Sequence, residues 1–382
     1  MEPCRHVAFK LMSKLKLELR RMQRAGIITK VDKPTDFVSS LVLVAKEDGS
    51  IRVCLDPQCL NECIKREPIQ LPTLEEISAK VKNAKYFTKL DANKAFWQIE
   101  LTEECREYTT FNTPFGRYRF NRLPYGICSS SEIFYKVFSR IFEDIENVGI
   151  YADDMIIWGE TKEKLISTII KVLERARQYG IKFNEKKSVF GVRKIKYLGH
   201  LISEKGIEID QDRIESIEKM ETPKIKKELM TFLGVVNYVS KFIPNCADLT
   251  HSLRQLIKND VPYVWGDAQQ EAFIKLKQEL CKAPVLTFFD VNKPITLSVD
   301  ASSYGLGCVL MQDQRPIAYG SQALTGTEQI YSQIEKECLA IVYGCKKFRQ
   351  YLFAQRFTVE NDHNPLINIF KKPLNKSPPR LQ

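Results

Sequence analysis

Residues 150–158 restrict the possible folds more than any other part of the sequence. Two apolar runs with strand-like composition meet there at Asp153 and Asp154, which predicts a β-hairpin with two negative charges at its tip. A solvated turn is the ordinary interpretation of such a tip, but no Gly or Asn supplies the left-handed residue that a tight hairpin favours. Because adjacent carboxylates repel each other, a divalent cation is the simplest group that would hold them together. Mg²⁺ prefers one or two carboxylates plus phosphate oxygens, so the site would need a further acid and a phosphorylated ligand.

The composition indicates a soluble, globular protein with more than one domain. The chain has 382 residues, of which 44% are hydrophobic and 27% charged, and this length exceeds one ordinary core. Its net charge of +11 fits a polyanionic partner and fits a solvated basic surface equally well. No apolar run reaches the ~20 residues of a membrane span, and the N-terminus lacks a signal-peptide core, so we expect an intracellular protein without a membrane partner. Eleven Cys without CxxC pairs and four His far apart predict reduced thiols rather than disulfides or zinc sites.

A candidate for the further acid is Asp91, which ends the strand-like segment 86–92. Residues 96–101 follow after a short turn and also have strand-like composition. Asp91 is far from Asp153 in the sequence, so the two carboxylates would meet only if their strands were neighbours in one sheet. The sequence pattern alone does not establish that pairing.

Basic residues suited to a phosphorylated ligand flank a predicted hairpin at residues 38–56. Asp48 and Gly49 lie between two β-type runs and predict its turn. Lys46 and Arg52 stand on either side of the turn and would clamp a triphosphate, Arg through its guanidinium fork and Lys as a point charge. Considered alone, the pair would be ordinary hairpin charges.

Several motifs occur in a fixed order between residues 40 and 200. They are RVCLDPQCLN (52–61), LDANKAFWQI (90–99), TPFGRYRFNRLPYGI (113–127), YADD (151–154) and YLGH (197–200). In this set the chain resembles the reverse transcriptase of gypsy-type LTR retrotransposons. The resemblance implies a right-hand polymerase fold in which Asp91, Asp153 and Asp154 gather around two Mg²⁺ ions, with Mn²⁺ as a substitute. Two such metals can activate a primer 3′-hydroxyl and neutralise the leaving pyrophosphate.

The same resemblance implies binding roles for single residues. Phe96 matches the aromatic residue under the sugar, where a ring would clash with a ribonucleotide 2′-hydroxyl. Lys187 matches a lysine near the leaving pyrophosphate, although surface charge explains it equally well. The other implied contacts are Lys46 and Arg52 with the triphosphate, Tyr125 and Gly126 with the incoming base and template, and Tyr197, Leu198 and Gly199 with the primer end.

Residues 290–382 are predicted to form another unit. One strand ends at Asp300, a long helix carries Glu335 and Glu337, and a later strand leads to Asp362. The apolar stripe predicted for the helix is Ile334, Cys338, Ile341, Cys345 and Phe348. This stripe does not choose between the two Glu residues. The unit resembles the RNase H domain of the same elements, which implies catalytic and metal-binding roles for Asp300, Glu337 and Asp362.

Together these features predict an α+β chain: a right-hand polymerase with fingers, palm and helical thumb, followed by a truncated RNase H-like α/β domain. The expected domains are 1–205 (reverse transcriptase fingers and palm), 206–289 (helical thumb or connection) and 290–382 (RNase H-like). The last domain is expected to be C-terminally incomplete, because the chain ends before the family's last helix and fourth Asp, and its cleavage activity is therefore expected to be impaired. The chain is interpreted as a polyprotein fragment.

The function expected from the resemblance is RNA-directed and DNA-directed DNA synthesis for an LTR retrotransposon. The alternative is a catalytically inactive nucleic-acid-binding remnant; a purely structural subunit has no sequence feature in its favour. The implied partners are RNA and DNA template–primer duplexes, dNTPs, and other polyprotein products such as protease, integrase and capsid. The implied location is a cytoplasmic particle, with access to the nucleus as an open alternative.

Overall fold

The computed structural model describes residues 2–46, 49–67, 69–363 and 365–371. Asp48 of the predicted turn and the basic tail after Lys371 lie outside the described residues. The chain divides into two compact units, one formed by Met1–Ile77 and Ala84–Val192 and the other by Ser78–Asn83 and Arg193–Gln382. No helix within the described ranges is both long and apolar enough to cross a bilayer.

The first unit combines short antiparallel sheets with helices. Its strands are β1 (Ile28–Lys30), β2 (Ser40–Ala45), β3 (Ile51–Asp56), β4 (Tyr86–Asp91), β5 (Phe111–Thr113), β6 (Gly116–Phe120), β7 (Val148–Tyr151), β8 (Asp154–Gly159) and β9 (Val189–Val192). Its helices are α1 (Phe9–Arg24), α2 (Gln58–Cys63), α4 (Glu103–Tyr108), α5 (Ser130–Phe142) and α6 (Lys162–Gln178), and α3 (Leu74–Lys80) crosses the boundary between the units.

A four-stranded sheet with the order β7-β8-β4-β9 carries the acidic motifs. Strand β8 is central and its residues from Met155 to Gly159 are buried, as expected for a nearly continuous apolar run covered on both faces. Helices α5 and α6 pack beneath the sheet in one core with Leu90, Phe138 and Val172. Thr161 caps α6 by accepting a hydrogen bond from the backbone N–H of Lys164. The predicted hairpin at 150–158 and the predicted strand at 86–92 are therefore confirmed.

A second core of this unit lies under α1, the β1-β6-β5 sheet and the β2-β3 hairpin. Leu15, Leu19 and Met22 of α1 are buried in it, whereas Phe9, which shares their helical stripe, is 97% exposed. Strands β2 and β3 pair antiparallel from Ser40↔Asp56 to Ala45↔Ile51. The hairpin predicted from the Asp-Gly turn signal is confirmed.

The second unit begins with a three-stranded antiparallel sheet and continues with helices and a larger sheet. Its strands are β10 (Lys194–Tyr197), β11 (His200–Ser203), β12 (Gly206–Ile209), β13 (Ile295–Ala301), β14 (Gly305–Gln312), β15 (Arg315–Ala323) and β16 (Phe357–Asn361). Its helices are α7 (Gln211–Glu218), α8 (Lys226–Val239), α9 (Cys246–Leu256), α10 (Asp267–Cys281), α11 (Gly326–Gln329), α12 (Gln333–Lys347), α13 (Arg349–Leu352) and α14 (Pro365–Phe370).

The larger sheet has the order β15-β14-β13-β16, with β13 and β16 parallel. Helix α12 packs closely on it, since a Cβ added at Gly344 would lie 3.1 Å from Leu297. The most buried positions of α12 include Glu337, Ala340 and Gly344. Of the predicted stripe, Phe348 is buried in the same core, and the half-buried Ile341 and Cys345 pack against it. The small residue Gly344 lies at the tightest part of the contact.

One segment differs from its sequence-based expectation. Residues 95–98 form a 3₁₀-helix and not the start of a strand, because Lys94 turns into the left-handed region and accepts a hydrogen bond from Trp97. Helix α8 begins at Lys226. The first compact unit extends to Val192, and β10 pairs with β11, which pairs in turn with β12. The domains 1–205, 206–289 and 290–382 stay predictions.

Candidate active site

The acidic hairpin closes through a two-residue tip. Tyr151 pairs with Asp154 in the β7-β8 ladder, which leaves Ala152 and Asp153 as the turn. Ala152 takes the left-handed conformation with φ of 52°, where a non-glycine residue carries a strain of about 1 kcal/mol or more. The carbonyl of Asp153 accepts a hydrogen bond from the N–H of Ala92 at 3.2 Å. The strained tip is thereby tied to the end of β4.

Asp91 lies at that end of β4, directly opposite Asp154 in the β4-β8 register. Its carboxylate is 3.5 Å from the Lys187 ammonium, and its carbonyl accepts a hydrogen bond from the N–H of Asn184 at 2.8 Å. Asp91 and Asp153 both line one cleft. The carboxylate of Asp154 instead lies 3.0 Å from the ammonium of Lys89. The structure thus brings Asp91 and Asp153 together at the cleft and gives Asp154 a separate ion pair.

The electrostatic environment of Asp153 disfavours its charged form. Desolvation raises the pKa of its carboxyl group above the usual range, although the residue as a whole is exposed at the tip. Its own backbone N–H and the more distant Lys187 lower the pKa, while Asp154 and Asp91 raise it further. A cation placed between these carboxylates would relieve their repulsion.

The cleft has a volume of about 470 Å³ and a strongly polar lining. Lys46, Arg52 and Lys187, the three cations selected from the sequence, all face it. Their convergence on two carboxylates from β4 and the β7-β8 tip is the arrangement that a cation-assisted phosphoryl transfer needs.

The cleft also contains residues that the sequence reasoning did not select. They include Glu18, Arg21, Asn93, Lys94, Trp97 and Asn184. A weak signal existed for Lys94, which follows Asp91 by three positions. Arg21 gave none, because one basic residue on the outer face of a basic helix looks like any other.

Tyr125 lines the cleft beside β3, and Gly126 follows it in the chain. The Arg52 guanidinium lies 4.9 Å from the centre of the Tyr125 ring, and the Tyr125 carbonyl accepts a hydrogen bond from the Leu55 N–H at 2.8 Å. Desolvation raises the pKa of the Tyr125 hydroxyl, with Arg52 opposing this shift. Phe96 packs on the Tyr125 ring with centroids 4.8 Å apart, so its ring is held next to the cleft wall.

The predicted primer-contact residues form the β10-β11 turn of the second unit. The ring of Tyr197 is fully buried, so a ligand contact at this turn would come from Leu198 and Gly199, which both have positive φ. The Leu198 carbonyl accepts a hydrogen bond from the Tyr238 hydroxyl at 2.7 Å, and the Arg213 guanidinium lies 4.1 Å from the centre of the Tyr238 ring. The turn is therefore braced by α8.

The acids assigned to the RNase H-like part lie at one edge of the larger sheet. Parallel pairing of Val299 with Asn361 brings the following residues, Asp300 and Asp362, to that edge, and both are exposed. Glu337 is 5% exposed. Its two carboxylate oxygens accept hydrogen bonds of 2.8 Å, one from the side chain of Gln333 and the other from that of Asn361.

Glu335, the other candidate on this helix, has a structural role. Its carboxylate accepts a hydrogen bond of 2.9 Å from the N–H of Ser332 and completes a capping box at the start of α12. The structure thus separates two Glu residues that the helical stripe could not distinguish.

The donor set of the cleft fits a magnesium site with a phosphate ligand. Across the described ranges, no three His, Cys, Asp or Glu side chains form a group suited to holding a metal ion. Mg²⁺ commonly takes only one or two protein carboxylates and completes its shell with substrate phosphates and water. Asp91 and Asp153 supply that number. Desolvation first, and the neighbouring Asp154 and Asp91 second, raise the pKa of Asp153, and a bound cation would favour its charged form.

Comparisons with known proteins agree with this geometry. Residues 44–202 match the family described as reverse transcriptase (RNA-dependent DNA polymerase), and residues 265–359 match the RNase H-like domain found in reverse transcriptase. The chain belongs to the reverse transcriptase family. The predicted reverse transcriptase and RNase H-like parts are confirmed, and the assignment to gypsy-type elements stays a prediction.

Retrotransposon polyproteins are among the relatives of this reverse transcriptase chain. It is 32% identical over 367 residues to the retrovirus-related Pol polyprotein from transposon 412 of Drosophila melanogaster, covering 92% of this chain and 30% of the polyprotein. It is also 32% identical over 359 residues to the transposon Tf2-3 polyprotein of Schizosaccharomyces pombe, covering 92% and 27%. The chain thus spans less than a third of the length of these two relatives.

Solved structures share the fold. A foamy viral protease-reverse transcriptase dRH in complex with double-stranded DNA superposes with a TM-score of 0.91 at 22% identity, covering 98% of this chain and 67% of that one. A foamy viral protease-reverse transcriptase in complex with an RNA/DNA hybrid gives 0.84 at 22% identity, covering 98% and 51%. The predicted fold class, a polymerase followed by an RNase H-like domain, is confirmed.

Proposed function

We propose that this chain is an RNA-directed and DNA-directed DNA polymerase that transfers a nucleotide from a dNTP to a primer 3′-hydroxyl. The observation that carries the proposal is the cleft shared by Asp91 and Asp153 with Lys46, Arg52 and Lys187. This combination of acids and cations in one polar cleft matches a reaction that needs positioning and charge stabilisation rather than a nucleophilic side chain. The complexes of the foamy viral relatives with double-stranded DNA and with an RNA/DNA hybrid support a template–primer duplex as the partner.

Each residue of the cleft then has a defined task. Asp91 and Asp153 would hold two Mg²⁺ ions, which when bound supply Lewis-acid activation of the primer hydroxyl and charge neutralisation at the phosphates. Lys46 and Arg52 bind the triphosphate, and the Tyr125 ring keeps Arg52 in place. Lys187 leaves its contact with Asp91 and stabilises the leaving pyrophosphate. Asp154 acts indirectly, because its carboxylate is paired with Lys89.

Primer extension on an RNA template with Mg²⁺ or Mn²⁺ tests the proposal. We expect Asp153→Asn to abolish extension, because it removes a charge at the cleft, and Asp154→Asn to reduce it less. Glu174→Gln, an exposed carboxylate on α6 outside this cleft, is the matched control and should extend as wild type. Tight binding of an RNA·DNA hybrid by wild type without any extension would instead support the inactive nucleic-acid-binding alternative.

For the RNase H-like part we propose weak hydrolysis of the RNA strand. Both oxygens of Glu337 are engaged by Gln333 and Asn361, and these bonds compete with binding of a cation. Robust cleavage of a labelled RNA·DNA hybrid that Asp300→Asn abolishes would contradict the proposal. We also propose a cytoplasmic particle as the setting. The similarity to polyproteins supports other polyprotein products as partners there.

A further inference from the structure

Lys94 is a cleft residue with an unusual backbone. It has φ and ψ of 52° and stands immediately before the 3₁₀-helix Ala95–Gln98. The left-handed conformation costs a non-glycine side chain about 1 kcal/mol or more, and such strain is concentrated at functional sites. Here it reverses the chain after Asp91, so that Asp91 and Lys94 both line the same cleft.

The ammonium of Lys94 lies beside other cations and against an aromatic face. It is 5.4 Å from the centre of the Trp97 ring, and the Arg21 guanidinium is 5.6 Å from the same ring. Glu18, the nearest acid in its electrostatic surroundings, binds Arg21 with both carboxylate oxygens at 2.7 and 2.6 Å. Desolvation lowers the pKa of Lys94, and the neighbouring Arg21 and Lys46 lower it further.

Three neighbouring cations form ion pairs, whereas Lys94 forms none with any described residue. Lys187 contacts Asp91, Lys89 contacts Asp154 and Arg21 contacts Glu18. Over the part of the chain that the structure describes, no carboxylate lies at ion-pair distance from Lys94. Cations gathered without matching carboxylates favour a multiply charged anion over a neutral ligand.

We propose that Lys94 binds the terminal phosphate of the incoming nucleoside triphosphate and so makes the cleft select triphosphates over diphosphates. This inference rests on the proposed polymerase function. Lys46 and Arg52 are the cations already assigned to the triphosphate, and Lys94 lines the same cleft with Arg21 behind it. The role is one of substrate positioning, and it predicts a change in nucleotide affinity rather than in the rate of transfer.

The test measures nucleotide binding without chemistry. The full chain is bound to a template–primer whose primer ends in a dideoxynucleotide, and the affinities for the complementary dNTP and dNDP are measured by filter binding. Lys94→Met keeps the aliphatic part of the side chain over Trp97 and removes the charge. We expect it to weaken dNTP binding roughly tenfold, the value of one charge-assisted hydrogen bond, and dNDP binding less than twofold. Lys94→Arg should retain most of the wild-type affinity for the dNTP.

Lys162→Met is the matched control, since the ammonium of Lys162 also lies over a ring, that of Tyr86 at 5.8 Å, but outside the cleft. Equal weakening of dNTP and dNDP by Lys94→Met, or no weakening of either, overturns the inference. In that case wild-type extension of an unblocked primer, measured in parallel, leaves the polymerase function standing. Absence of extension by wild type overturns both. Thermal melting of each variant identifies a loss of fold. If Lys94→Met does not fold, the comparison of Lys94→Arg with wild type decides the test.

Discussion

Gly126, which follows the cleft residue Tyr125, makes a close backbone contact with Leu55, and Gly126→Ala should disrupt it. Gly126 has φ of 112°, and a Cβ at this position would lie 1.8 Å from the carbonyl oxygen of Leu55. Real Cβ atoms do not approach other atoms closer than 3.0 Å, so the two backbones must separate by more than an ångström. That movement breaks the 2.8 Å hydrogen bond from the Leu55 N–H to the Tyr125 carbonyl.

The cost of Gly126→Ala can be assembled from its parts. The positive φ costs about 1–2 kcal/mol for a residue with a Cβ. The lost hydrogen bond adds about 0.5–1.5 kcal/mol, and the forced backbone shift adds roughly 1–3 kcal/mol. Gly180→Ala is a matched control, because Gly180 has φ of 69° and nothing within 4 Å of its ideal Cβ. It should lose only the first part, so Gly126→Ala should be at least about 1.5 kcal/mol less stable than Gly180→Ala.

Two measurements test this prediction. Urea unfolding monitored by tryptophan fluorescence reports mainly on the first unit, which contains Trp97 and Trp158. Primer extension reports on the cleft, and Gly126→Ala should lower it at least tenfold because the shift moves Tyr125 away from Arg52. If Gly126→Ala and Gly180→Ala have equal free energies of unfolding and equal extension rates, the close contact does not exist in solution.

Four further outcomes are expected. Asp153→Asn should raise the melting temperature at pH 7. The pKa of Asp153 is higher in the folded than in the unfolded chain, where it is 3.8, so ionisation of Asp153 destabilises the fold as pH rises above that value. The difference in melting temperature between Asp153→Asn and wild type should therefore shrink at about pH 4. Phe96→Val should increase rNTP incorporation relative to dNTP in single-nucleotide extension, with unchanged discrimination contradicting the sugar-contact role. The Cys308 thiol, whose pKa burial raises to about 12, should stay unmodified by a thiol reagent at pH 8 until urea unfolds the chain. Asn361→Ala should lower the free energy of unfolding by about 1–3 kcal/mol, measured by urea denaturation, because it removes a hydrogen bond from the buried Glu337 carboxylate.

Much of the first unit could be predicted because its signals are local. The apolar run of β8 and the acids at its start predict a hairpin from residues adjacent in the chain, and the structure has that hairpin. Helical stripes are less informative about burial. Phe9 fits a helical stripe but faces solvent, and Ile341 fits another but is only half-buried. In both cases the stripe gives the helix but not the surface that covers it.

The sequence by itself determined the two acidic motifs, the Lys46–Arg52 hairpin and the family, because each depends on residue types at short and fixed spacing. Only the tertiary structure decided that Asp91 and Asp153 line one cleft while Asp154 pairs with Lys89. Strand pairing between distant segments sets those distances, and periodicity within a segment carries no information about its neighbour. The same pairing and packing placed Lys94 in the cleft with the two acids. Its charge was visible in the sequence, but its lack of a carboxylate partner among the described residues was not.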